Sequence, residues 1–152
     1  MEQKIEKFYI IGISVKTTNE NGKSEKDMGE LWGRFYKENI SSKIPNKESE
    51  EIYSIYTDYE SDYRGKQTAL IGQKVKSLDE IPYGLIGREF NGGKYIKFIA
   101  KGEMPNAVIK TWQKIWNREN ELNREYSADF EVYGEKSHNG DDSEVEIFIA
   151  TN

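Results

Sequence analysis

A local pattern that occurs twice constrains this chain most. Leu31-Trp32-Gly33-Arg34-Phe35-Tyr36 matches Thr111-Trp112-Gln113-Lys114-Ile115-Trp116: each is a Trp followed three and four positions later by large apolar groups. Ile55-Tyr56-Thr57 matches Val132-Tyr133-Gly134. Trp32 and Trp112 are 80 residues apart and Tyr56 and Tyr133 are 77 apart, so the register nearly holds. The periodicities around these pairs repeat in the same order. Tyr9, Ile11, Ile13 and Val15 alternate and predict a strand over 8–15. Met28, Leu31, Trp32, Phe35, Tyr36 and Ile40 form one apolar stripe and predict a helix over 26–40. Strands follow at 52–59 and 69–75. In the first, Tyr53, Ile55 and Thr57 share one face, and Ile52, Ser54, Tyr56 and Asp58 the other.

After a Gly-rich connection over 76–93, with a short edge strand at 85–90, the order returns. A strand is predicted at 94–100, a helix at 107–123, and strands at 129–135 and 144–150. The reading is α+β: one domain, 1–152, built of two β-α-β-β units at about 5–76 and 82–152. Either unit alone would bury little, so the two are expected to share one antiparallel sheet with two packed helices. The pseudo-two-fold arrangement leaves a central cleft between the helices, a favoured place for a small ligand.

Composition narrows the chemistry. The 152 residues carry a net charge of −5, which argues against direct binding to nucleic acid. There is no cysteine and one histidine, His138 beside Asn139-Gly140, so neither a metal site nor a cofactor is expected. No apolar run approaches a membrane span, and no leader is read at the N-terminus, so a cytoplasmic location is expected. Aromatic residues reach 12%, enough for a real core despite 32% charged residues.

The stretches IYSIYTDYES…ALIGQKV, IPYGLIGREFNGGKYIKFIAKG, TWQKIWNREN and DFEVYGEK…EVEIFIA resemble the GyrI-like, or AraC-type, effector-binding superfamily. The chain is most similar to the stand-alone YdeE-type members, roughly from Phe8 to Ala150. The resemblance implies a tandem β-α-β-β fold with a concave multidrug pocket between the halves. It also implies a glutamate on the penultimate strand at the pocket floor, which matches Glu131. Many relatives carry a DNA-binding region before this domain; here the chain starts at the effector-binding unit, so ligand sensing or sequestration is expected instead. A transcription regulator or gyrase acting in trans is a further partner the resemblance allows. So is hydrolysis of strained electrophilic compounds, which would need Glu131 as general base.

The residues themselves add detail. Glu131 interrupts the apolar pattern of its strand and shares a face with Tyr133. A carboxylate among aromatic rings suits small amphipathic cations, with cation–π attraction of roughly 0.5–2 kcal/mol per ring. A solvated glutamate on an open sheet face is the ordinary alternative. Trp32, Trp112 and Trp116 are candidates for the ligand wall, against core packing between helix and sheet. Tyr53 and Tyr133 complete the candidate set. Tyr56, Tyr59 and Tyr63 crowd the same hairpin as Tyr53, without individual assignment. Seven acids against one base over 129–152 would raise the cation concentration near the cleft.

Overall fold

The computed structural model describes residues 2–61 and 65–152; Tyr63 lies outside them. The strands are β1 (Glu2–Ile5), β2 (Phe8–Thr18), β3 (Ile52–Thr57), β4 (Lys66–Val75), β5 (Ile86–Phe90), β6 (Gly93–Lys101), β7 (Ala128–Tyr133) and β8 (Glu144–Ala150). The helices are α1 (Lys23–Lys37), α2 (Ile40–Lys43), α3 (Asn106–Asn117) and α4 (Glu119–Leu122). All eight strands join one antiparallel sheet in the order β1-β6-β8-β7-β3-β4-β2-β5. The two β-α-β-β runs occupy matching halves of that order, β6-β8-β7 against β3-β4-β2. Their inner strands, β7 and β3, pair at the centre.

The centre of this pairing is a pseudo-two-fold axis. Ser54 lies opposite Glu131, and the two are 77 residues apart, the same offset as Tyr56 and Tyr133. The flanking pairs Tyr53–Val132 and Ile55–Phe130 exchange under that offset. The axis therefore passes through the Ser54–Glu131 pair.

The sheet curls toward the face without helices. Phe8 on β2 and Phe130 on β7 are three strands apart, about 14 Å in a flat sheet. Their ring centroids are 5.4 Å apart. Phe130 also meets Tyr95 at 5.4 Å and Phe148 at 4.9 Å. These rings, with Ile10, Ile55 and Leu70, fill the inside of the curl. Truncating a ring so buried costs about 3–5 kcal/mol.

The other face carries α1 and α3. Leu31 and Phe35 of α1 pack on Ile11, Ile13 and Ile71. Trp112 and Ile115 of α3 pack on Ala100, Val145 and Ile147. Both predicted helices end earlier than their apolar stripes suggest. Asn39 takes a left-handed conformation, φ 51°, and Ile40 starts the separate turn α2. Arg118 leaves helical geometry, dividing 107–123 into α3 and α4. The strand read at 52–59 stops at Thr57, because Asp58 takes φ 52°. β1 was not anticipated. It is four residues long, with three of them polar, and held by pairing with β6. Among the described residues no helix is long and apolar enough to cross a membrane.

Candidate functional site

Strand alternation puts Asp129, Glu131 and Tyr133 of β7 on the helix-bearing face, beside Ser54 and Tyr56 of β3. α1 and α3 sit on either side of this strip. The space between them is a cavity of about 520 Å³, a size typical of drug-sized ligand sites. Matching helix positions form its two walls. α1 contributes Glu25, Met28, Gly29 and Trp32; α3 contributes Val108, Ile109, Trp112 and Trp116, with Pro105 just before it. The 80-residue offset relates Glu25 to Pro105, Met28 to Val108, Gly29 to Ile109 and Trp32 to Trp112.

Glu131 forms the floor. It is 2% exposed, which excludes a solvated glutamate on an open sheet face. Three neutral donors hold its carboxylate. Trp112 Nε1 donates to Oε2 at 2.6 Å and Tyr133 OH to Oε1 at 2.6 Å. Tyr56 OH donates to Oε2 at 3.2 Å. Tyr56 and Tyr133 are repeat equivalents, so both phenols of the pseudo-symmetric pair converge on the one carboxylate beside the axis. Each is also met edge-on by the opposite half's tryptophan: Trp32–Tyr133 at 5.0 Å and Tyr56–Trp112 at 5.6 Å. Trp116 extends the wall, 6.2 Å from Trp112.

Burial pushes the Glu131 carboxyl above its ordinary value of 4.5, and the hydrogen bonds from Tyr133, Trp112 and Tyr56 oppose that rise. Burial, reinforced by the Glu131 charge, raises both phenols far above the usual tyrosine range, so they act as donors. No cation pairs with Glu131 among the described residues.

Asp129, two residues along β7, is balanced differently. Arg124 Nη2 donates to it at 2.6 Å, as does Tyr59 OH, and the Ala150 amide donates at 2.8 Å. Arg124 also contacts Glu119 at 3.1 Å. Of the acids counted over 129–152, Asp129 and Glu131 are thus buried rather than part of a surface field, and of these two Glu131 has no counter-ion among the described residues.

Five of the six sequence-derived candidates line this cavity: Glu131, Trp112, Trp32, Tyr133 and Trp116. Tyr53 does not. It lies on the opposite face of the sheet, with ring centroids 6.0 Å from Phe8 and 5.6 Å from Phe130. The reason is the pleat: Ser54 shares the helix-bearing face with Glu131, so its neighbour Tyr53 must face away. Tyr56 lines the cavity instead, and its equivalence to Tyr133 is the sequence signal for that placement. Gln67 and Arg124 also line the cavity and had no signal in the sequence.

Known proteins share this fold. The sequence pattern of the Cass2 family, described as integron-associated effector binding protein, matches residues 3–151. The integron cassette protein VCH_CASS2, from the mobile metagenome of Vibrio cholerae, is 31% identical, with a TM-score of 0.77 over 100% of this chain and 95% of that one. The structure of SAV2435 bound to tetraphenylphosphonium has a TM-score of 0.83 at 18% identity, covering 100% of this chain and 93% of that one. The Bacillus subtilis (strain 168) protein YobU is 25% identical over 142 residues, 91% of this chain and 89% of its own length. The GyrI-like effector-binding fold is therefore the one this sequence adopts, and the chain belongs to the Cass2 family of effector binding proteins.

Proposed function

We propose that this protein binds amphipathic organic cations in the cavity between α1 and α3, as a sensor or sequestering protein. The observation that carries this reading is the Glu131 carboxylate, buried at the cavity floor on three neutral donors with no cationic partner among the described residues. A buried charge left unpaired is costly, and an incoming cation removes that cost. Trp32, Trp112, Trp116, Tyr56 and Tyr133 supply apolar surface and ring faces for the body of the guest. The tetraphenylphosphonium complex of SAV2435, a protein of the same fold, supports the choice of ligand class.

Binding is favoured over hydrolysis by the geometry at Glu131. A carboxylate offers about four lone-pair directions, and three hydrogen bonds already engage this one. One direction remains, so a cation seated on it excludes a water from the same position.

Titration of tetraphenylphosphonium against tryptophan fluorescence tests the proposal. Micromolar affinity, about −8 kcal/mol, is expected. Glu131→Gln keeps the shape and removes the charge, and is expected to weaken binding roughly 30-fold, about 2 kcal/mol. Equal affinity in the two proteins would remove Glu131 from the site.

A further inference from the structure

The cavity carries a second carboxylate. Among the described residues three charged side chains line it: Glu131 at the floor, Arg124, and Glu25 in the first turn of α1. Arg124 is engaged by Asp129 and Glu119. Glu25 is exposed and forms no ion pair or hydrogen bond with another described residue. The sequence of α1 accounts for this. On a helix a side chain meets those three and four positions away. For Glu25 these are Asn21, Gly22, Met28 and Gly29, none of them charged. The nearest lysines, Lys23 and Lys26, point around the helix from it, and Lys23 is held by Asp27 at 2.7 Å. Glu30, the other exposed carboxylate of α1, does not line the cavity.

The wall between Glu25 and the floor is open. Met28 and Gly29 follow one turn on and Trp32 two turns on, all lining the cavity. Gly29 has no side chain, where α3 has Ile109 at the equivalent place. From Glu25 to Trp32 the helix rises about 10 Å. The Trp32 ring lies 5.0 Å from that of Tyr133, which donates to Glu131. A guest lying along α1 therefore has a carboxylate near each end. On α3 the position equivalent to Glu25 is Pro105, so this second charge belongs to one wall.

We propose that Glu25 is a second cation subsite and that the preferred ligands are organic dications. The bulky aromatic cation sits over Glu131, and a second positive group about 10 Å away along α1 meets Glu25. This deepens the cation reading of Glu131 and rests on it. The two ends differ in kind. The floor is buried and takes a charge carried among rings, whereas Glu25 is exposed and suits a small ammonium that keeps part of its water. Glu25 adds selectivity more than affinity, because an exposed ion pair contributes little.

A matched pair of probes tests the subsite: (6-ammoniohexyl)triphenylphosphonium and heptyltriphenylphosphonium, equal in length and differing in a terminal ammonium or methyl. The readout is the ratio of their affinities, measured by calorimetry at low ionic strength. Glu25→Gln is expected to shift that ratio about threefold against the dication, and Glu25→Lys about tenfold. Glu30→Gln, on the same helix but off the cavity, should leave the ratio unchanged. An unchanged ratio in both Glu25 variants, an equal shift in Glu30→Gln, or a dication that fails to bind where the heptyl probe binds would overturn the subsite and leave the cation site standing. If neither probe binds the wild-type protein, the cation reading itself falls, and the subsite with it.

Discussion

Burying Glu131 without a cationic partner among the described residues costs the protein stability. The Glu131 carboxyl titrates above 4.5, chiefly because burial opposes its charge. The native state therefore holds this proton to a higher pH than the unfolded chain does. The associated stability is present at low pH and is lost as pH rises through the native value. Relative to Glu131→Gln, the wild-type thermal midpoint is expected to decline between pH 5 and pH 8. Cation binding runs the other way, because only the ionised form attracts a positive guest. Tetraphenylphosphonium carries a permanent charge, and Tyr56 and Tyr133 titrate far above this range, so Glu131 governs the profile. Affinity should fall as pH is lowered from 8 toward 5, with a proton released on binding within that limb. A flat profile in the wild-type protein, matching that of Glu131→Gln, would contradict this assignment.

The two wall helices differ although they occupy equivalent positions. α1 has Gly29 where α3 has Ile109, and both line the cavity. A Cβ added at Gly29 or Gly33 meets no atom within 4 Å, so packing requires neither glycine. Each weakens α1 by roughly 0.5–1 kcal/mol relative to alanine. Gly29→Ala and Gly33→Ala should each raise the melting temperature by about 2–4 °C. Only Gly29→Ala adds a methyl to the cavity wall, so it alone should weaken binding of the bulky tetraphenylphosphonium ion, by about threefold. Parallel melting curves and titrations separate the effects. An equal loss of affinity in Gly33→Ala would point to helix stiffness instead of wall shape.

Across the whole molecule, the pseudo-two-fold axis explains why the acidic position is single. Ser54 and Glu131 face one another across β3 and β7, and Ser54 is fully buried. Directly opposed residues have Cβ atoms about 4.5–5.5 Å apart. Two carboxylates there would share a site in which both cannot easily ionise. Ser54→Glu is expected to destabilise the protein by on the order of 3 kcal/mol at pH 8. The loss should be smaller at pH 5, because protonation of either carboxyl relieves the repulsion. Urea midpoints at the two values check this, and an equal loss at both would argue for steric rather than electrostatic disruption. The departure from symmetry avoids that repulsion and leaves the cavity floor with one carboxylate beside the axis.

Periodicity and repetition in the sequence determined the element order, the pairing of Trp32 with Trp112, and the shared face of Glu131 and Tyr133. Those properties are local or internally repeated: a pleat alternates every residue, and two similar segments fold similarly. Only the tertiary structure decided what each face meets. The β3–β7 register sets Ser54 beside Glu131 and turns Tyr53 into the aromatic interior, although its ring is as suitable for a ligand as that of Tyr56. Curling of the sheet brings Phe8 to Phe130 and closes that side to solvent. The ion pair between Arg124 and Asp129 likewise depends on the turn that precedes β7, and it leaves Glu131 without a counter-ion among the described residues. Such facts depend on distances between segments remote in the chain or on turn geometry, and neither hydrophobic pattern nor charge count encodes those distances.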